Sequence, residues 1–327
     1  MRPRLGFLGT GWIGRHRMAA LAEAGLAEIV AVAETDDTSA AEALALAPGA
    51  RRVEGLNALL GSDIDAVVIA TPSAAHAEQS IAALQAGKAV FCQKPLGRTG
   101  PEVSKVVEAA RRVDRLLGVD LSYRQTAAMG AIRPLLDAGS LGHVFGVDVT
   151  FHNGWGPDKP WFYDPKLSGG GCVVDLGVHL IDLALWSLGW PEVQGVESRL
   201  YAKGAPLADP AAQVEDYAVA TLDLAGRTVV RLACSWGLQA GREALIAAEF
   251  YGTEGGASLR NVNGSFYDLR AERHHHIRAE SLAEPPDDWG GRAAVDWLTR
   301  LAQGARFDDE ARHLVTVARV IDRIYGR

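Results

Sequence analysis

Arg4-Leu5-Gly6-Phe7-Leu8-Gly9-Thr10-Gly11-Trp12-Ile13-Gly14 decides the fold. A short apolar run feeds directly into glycines spaced G-x-G-x-x-G, and the helical pattern of Ile13–Ala24 follows. That spacing carries weight only between a strand and a helix. The first glycine permits a tight turn, the second lets a pyrophosphate approach the backbone, and the third allows close helix–strand packing. Free N–H groups and the dipole at the helix start favour phosphates, so Gly9, Thr10, Gly11, Trp12, Ile13 and Gly14 are read as dinucleotide contacts. The next strand ends at Glu34, twenty residues past Gly14. An acidic residue there accepts hydrogen bonds from the adenosine ribose. Asp36 and Asp37 follow and no adjacent Arg or Lys replaces Glu34, so NAD is expected over NADP.

Outward from this motif, strand and helix patterns alternate to residue 121. Arg4–Leu8, Glu28–Ala33, Ala66–Ala70, Lys88–Cys92 and Leu116–Leu121 read as buried strands. Ile13–Ala24, Ala40–Ala47, Ala74–Ala86 and Pro101–Val113 read as helices, the last opening with Thr99 and Glu102 at capping-box spacing. The alternation predicts an α/β domain, a doubly wound parallel sheet over residues 1–122. Residues 123–327 read differently. A helix at Thr126–Ala138 and a strand at His143–His152 come first. Beyond the glycine-led helix lie long strands at Val193–Ala202, Val214–Leu224, Thr228–Trp236, Ala244–Tyr251 and Ala257–Val262, then two terminal helices, Gly291–Gln303 and Asp308–Tyr325. They predict an α+β domain on a large open mixed, mostly antiparallel sheet. The boundary near residue 122 lacks a Pro/Gly/Ser-rich linker, so a ligand cleft between the two domains is expected.

Composition narrows the function. The 327 residues are 48% hydrophobic and 22% charged, with a net charge of −7 and a pI near 5.7. That balance favours neither nucleic acid nor an anionic membrane and fits a small-molecule ligand. Cys92, Cys172 and Cys234 are widely spaced without a CxxC pair, which argues for a reducing compartment. No signal peptide or membrane span is read, so the expected location is the cytoplasm. His274, His275 and His276 lack partners at metal-ligand spacing, and no metal is expected.

Two segments carry reactive groups. In Gly169–Gly189 an apolar helix bears Asp175, His179 and Asp182 at i, i+4 and i+7, sharing one face. A carboxylate one turn from an imidazole can handle protons near neutral pH. Asp182, deeper along the helix, is read as structural. Gly169, Gly170 and Gly171 allow close approach of another backbone or of a ligand. The fourth strand ends at Gln93-Lys94-Pro95, where Lys94 points to the ligand side of a parallel sheet. Pro95 restricts Lys94 and admits a cis bond. An ammonium there can bind a hydroxyl and offset developing oxyanion charge.

Together, Gly9–Gly14, Ala70-Thr71-Pro72 with His76, Ala86-Gly87-Lys88, Gln93-Lys94-Pro95 and Gly169–Asp182 resemble the Gfo/Idh/MocA oxidoreductases over nearly the whole chain. The resemblance implies hydride transfer between a nicotinamide cofactor and a secondary alcohol of a sugar or cyclitol. It implies cofactor contacts at Thr71, Pro72, His76, Gln93 and Lys94. Lys94 would hold the reacting hydroxyl, Asp175 would bind substrate, and His179 would be the general acid/base. A homodimer or homotetramer through the second sheet is also implied. The chain departs from the family at Gln93, where Glu is usual, and activity is expected to survive. Tyr123, Arg124, His152, Trp155 and Trp161 complete the candidate substrate contacts, aromatic platforms suiting a polyol. Two other readings of the fold are an NAD-retaining glycosidase and a non-catalytic dinucleotide sensor.

Overall fold

The computed structural model describes residues 2–327, which divide into two compact units. One comprises the chain up to Ser122 together with Gly290–Ala318; the other comprises Tyr123–Trp289 with Arg319–Arg327. The chain therefore crosses between units more than once. The sequence reading assigned all of 123–327 to the second domain, whereas Gly290–Ala318 packs with the first. Apolar complementarity explains the return. Trp297 and Leu298 fill one face of the first sheet, and Val315 and Ala318 the other.

In the first unit, β1 (Arg4–Leu8), β2 (Glu28–Ala33), β3 (Arg51–Arg52), β4 (Ala66–Ile69), β5 (Ala89–Cys92) and β6 (Leu117–Val119) form a parallel sheet in the order 3-2-1-4-5-6. Helices α1 (Trp12–Ala24), α2 (Asp37–Leu46), α3 (Gly55–Leu60), α4 (Ser73–Gln85) and α5 (Gly100–Val113) connect the strands. Alternation within each strand feeds two cores. Phe7, Val68 and Phe91 meet Met18, Leu21 and Trp297 on one side. Val67, Ile69 and Val90 meet Leu59, Leu84 and Val106 on the other. The short pair β3–α3 was not anticipated, because Arg51 and Arg52 are exposed and show no apolar run. The expected cap of α5 forms in part. Thr99 accepts from Glu102 N at 3.3 Å, but Glu102 accepts from Arg98 N at 2.8 Å.

In the second unit, α6 (Ala127–Asp137) precedes β7 (Val144–Asn153). A short helix, α7 (Pro165–Ser168), leads to a π-helical turn at Val173–Gly177 that continues as α8 (Val178–Ser187). There follow β8 (Val193–Ala202), β9 (Ala205–Pro206), β10 (Tyr217–Leu224), β11 (Thr228–Ser235), β12 (Ala244–Gly252), β13 (Gly256–Asn261), β14 (Leu269–His275) and β15 (Arg278–Ala283). These strands and β7 build a nine-stranded sheet in the order 15-14-13-12-7-11-10-8-9, antiparallel except where β7 meets β11. On β7 and β10, Val147, Val149, Phe151, Ala218, Ala220 and Leu222 are buried. The opposite face is polar, with Arg231–Asp148 and Arg260–Glu249 ion pairs. The chain ends in α9 (Arg292–Ala302) and α10 (Arg312–Ile324). No membrane span was read from the sequence, yet Pro165–Ser187 is long and apolar enough for one; 89% of its most apolar window is buried, as in a core helix.

Candidate functional site

In the first unit the register aligns Leu8 with Ile69 and Ile69 with Cys92. The residues after those strand ends, Gly9, Thr71 and Lys94, therefore share the carboxyl edge of the sheet, at the point where strand order reverses. Gly9 has φ +82°, and a Cβ there would sit 2.7 Å from the Ala70 carbonyl oxygen. A Cβ on Gly14 would sit 2.5 Å from the Gly9 carbonyl oxygen. At Gly11, among the described residues, nothing lies within 4 Å of that position. The loop is thus tight where it packs and open where a pyrophosphate would approach, beside the first N–H groups of α1. Trp12 is exposed, Ile13 half-buried and Thr10 buried.

Glu34 holds this loop. Its carboxylate accepts from Thr10 N at 2.5 Å, Thr35 N at 2.7 Å and Asp36 N at 3.0 Å. Burial opposes the charge, but bonds from Asp36, Thr10 and Thr35 outweigh it and keep the carboxyl below its ordinary value. Sequence adjacency showed no cation here. The fold brings one: Arg52 on β3 donates to the Glu34 carbonyl at 2.9 Å and to Asp37 at 2.7 Å.

Lys94 is half-buried and joined to Pro95 by a cis peptide. Its predecessor faces inward. Gln93, 6% exposed, donates from Nε2 to Asp120 Oδ2 at 2.5 Å, and Arg17 Nε donates to the same oxygen at 2.5 Å. Ser122 Oγ supplies Asp120 Oδ1 at 2.5 Å. Gln93 thus joins a buried network. His76 is also internal, its ring nitrogens 2.6 Å from the Pro95 and Thr71 carbonyl oxygens. Burial lowers its pKa; the two carbonyls work against that and the Lys94 charge adds to it. Thr71 Oγ1 donates to Gln79 Oε1 at 2.6 Å, and Pro72 is exposed.

In the second unit, Asp175 lies in the π-helical turn and His179 in the first turn of α8. Trp236, immediately after β11, donates its indole N–H to Asp175 Oδ2 at 3.0 Å. The Tyr123 ring lies edge-on to His179 with centroids 5.2 Å apart, and it also packs on Phe151 and Trp289. Burial raises the Tyr123 phenol pKa, with the Tyr267 and Asp175 charges adding. Phe162 and Tyr163 set their rings edge-on to Trp236, and Trp161 stacks on Phe162 at 3.8 Å. A carboxylate and an imidazole on one helical run thus sit among aromatic rings that also offer N–H and O–H donors. Trp155 is exposed, its backbone N–H bonded to Asn153 Oδ1 at 2.7 Å.

Two candidates from the sequence are placed elsewhere. Arg124 donates from Nε to Asp182 Oδ2 at 2.7 Å, makes a second bond through Nη2, and lies over Trp186 and Trp190. Its guanidinium is committed to the buried Asp182. His152 alternates with Phe151, so the pleat turns it to the other face of the sheet. There it bonds Ser235 Oγ at 2.8 Å and stacks on Tyr217. Trp236, the partner of Asp175, does not stand out in the sequence, because it belongs to no motif.

Residues 4–121 match the family described as "Oxidoreductase family, NAD-binding Rossmann fold", and residues 129–258 match the "GFO/IDH/MocA C-terminal domain". D-glucoside 3-dehydrogenase of Escherichia coli is 29% identical over 245 residues, 68% of this chain and 69% of that protein. A protein of Amycolatopsis mediterranei, provisionally named a UDP-kanosamine synthase oxidoreductase subunit, is 30% identical over 81% of this chain and 76% of its own. A solved levoglucosan dehydrogenase, in complex with NADH and L-sorbose, shares the fold at TM-score 0.83, with 24% identity over 99% of this chain and 96% of that one. The chain belongs to the Gfo/Idh/MocA oxidoreductase family and is an NAD(P)-dependent dehydrogenase.

Proposed function

We propose that this dehydrogenase oxidises a secondary alcohol of a sugar, cyclitol or related polyol, or reduces the matching ketone, with NAD preferred. The carrying observation is the Asp175–Trp236 bond beside His179 and Tyr123, which sets a proton-handling pair among flat rings suited to the C–H face of a polyol. A bound nicotinamide supplies or takes up the hydride. A ring nitrogen of His179 takes the hydroxyl proton, and the Lys94 ammonium offsets charge on the same oxygen. Asp175, held by Trp236, orients the imidazole or grips a neighbouring hydroxyl. The reading requires Lys94 and His179 to act on one hydroxyl.

Names among the relatives support the substrate class. Inositol 2-dehydrogenase of Rhizobium meliloti is 35% identical over 191 residues, 58% of this chain and 56% of that protein. The reading includes a cytoplasmic enzyme assembled through its nine-stranded sheet; three buried, unbridged cysteines support a reducing compartment. The experiment is a panel of pyranosides and inositols offered with NAD and with NADP, following reduced nicotinamide. Accumulating NADH supports the reading. Net glycoside hydrolysis without NADH would select the glycosidase reading, and cofactor binding without turnover the sensor reading.

A further inference from the structure

The run Gly169-Gly170-Gly171 opens the helix that bears Asp175 and His179, and the sequence left two reasons for it, a ligand or a neighbouring backbone. The structure supplies the backbone. A Cβ on Gly171 would fall 1.8 Å from the Glu215 carbonyl oxygen, and one on Gly170 would fall 2.1 Å from the Tyr325 hydroxyl. These distances leave no room for a side chain, so the glycines are there for Glu215 and Tyr325.

Glu215 precedes β10 and has no exposed surface. Its carboxylate accepts from Gly171 N at 3.0 Å and Val173 N at 2.8 Å. Tyr325, just past α10, donates its O–H to Glu215 Oε1 at 2.7 Å. The same hydroxyl oxygen accepts from Gly171 N at 3.2 Å. The backbone joins in, with Cys172 N donating to the Glu215 carbonyl at 3.1 Å. Arg327 Nη2 donates to the Gly169 carbonyl at 2.9 Å. A buried carboxylate at a helix start satisfies N–H groups that would otherwise have no partner, and its charge suits the positive end of the helix. Burial pushes the Glu215 carboxyl pKa up, and donors from Val173, Tyr325 and Gly171 pull against it.

We infer that Glu215, with Tyr325, is a positioning residue that locks the opening turn of the Asp175–His179 helix and so fixes where both side chains project. The inference rests on the proposed role of those two residues. Val173, which Glu215 binds, lies two residues before Asp175, so release of the turn displaces the carboxylate directly. A misplacement of about 1 Å costs roughly 10²-fold in rate.

The test compares wild type with Glu215→Ala, Glu215→Gln, Tyr325→Phe and His179→Ala. The readouts are kcat and KM for NAD and for whichever pyranoside or inositol of the panel is turned over, together with backbone amide exchange at Gly171 and Val173. Glu215→Ala should lower kcat roughly 10²-fold while KM for NAD holds, and it should speed exchange at both amides. Glu215→Gln keeps one carbonyl acceptor and should restore part of the rate. Tyr325→Phe keeps the ring, should fold where Glu215→Ala does not, and should lose about ten-fold in kcat. Unchanged amide exchange would overturn the lock. Faster exchange with unchanged kcat would overturn its positioning role. Full turnover by His179→Ala would instead overturn the catalytic reading, and the exchange arm needs no turnover at all.

Discussion

The indole of Trp236 and the carboxylate of Asp175 are joined by one hydrogen bond of 3.0 Å, from a residue just past a strand to a residue in a π-helical turn. π-helical turns recur at functional sites. Here the turn aims Asp175 at a donor that also carries the edge-on rings of Phe162 and Tyr163. Trp236→Phe keeps an aromatic ring and removes the N–H. A hydrogen bond to a charged group is worth about 1.5–3 kcal/mol, so kcat/KM for the polyol should fall by ten-fold or more while NAD binding is unchanged. Steady-state kinetics checks this; an unaltered kcat/KM would remove Asp175 orientation from the account.

Asp182 and Arg124 should behave as structure. Asp182 is 2% exposed and its partner lies over two indoles. Asp182→Asn leaves a guanidinium without its counter-charge, and breaking such a pair costs about 3 kcal/mol. Thermal unfolding should show a large loss of stability. Turnover by the folded fraction should stay within a few-fold of wild type.

Gln93→Glu tests the position at which the family resemblance leads one to expect Glu. It would place a second carboxylate against Asp120, which now accepts from Gln93 and Arg17. Two adjacent carboxylates cannot both ionise freely, so one folded-state pKa rises. A carboxyl whose folded pKa exceeds its unfolded value costs nothing below the unfolded value, about pH 4, and costs more as pH rises through the folded one. Denaturant midpoints should therefore match wild type in acid and fall behind it toward neutrality. Wild type itself should turn over; an inert wild type made active by Gln93→Glu would contradict the account.

Under the proposed reading, Glu34 sets the preference for NAD over NADP. Its carboxyl stays below its ordinary value of 4.5 because bonds from Asp36, Thr10 and Thr35 overcome the burial that would raise it. A group lowered in this way stabilises the loop above its unfolded pKa, and that contribution is lost as pH falls through the folded value. Glu34→Ala removes the like charge facing a 2′-phosphate and leaves Arg52 nearby. The NADP-to-NAD ratio of kcat/KM should rise about 10²-fold, as expected when an unpaired-charge clash of a few kcal/mol is relieved.

What the sequence disclosed follows from where the information lies. β1, β2 and β8 match their expected limits residue for residue, since buried runs and alternation are local signals. β14 and β15 escaped notice because Leu269–His275 is largely polar and Arg278–Ala283 is mostly exposed, with no apolar run. They are strands because β13 templates β14, and β14 in turn templates β15. In the candidate site, Lys94, Asp175 and His179 stand out within compact motifs. Trp236, Glu215 and Asp120 do not, because each acts through a partner far along the chain. Arg124 and His152 were read as substrate groups because sequence cannot show that Asp182 claims the first and that the pleat turns the second away.

The central claim is that the Lys94 ammonium and the His179 imidazole serve one reacting hydroxyl. The direct measurement is kcat for Lys94→Ala and for His179→Ala on the best polyol of the panel, with NAD affinity determined for each by titration. Both variants should bind NAD as wild type does and lose turnover by about 10²–10⁴-fold, the usual worth of general acid–base help. Wild-type turnover in both variants would contradict it.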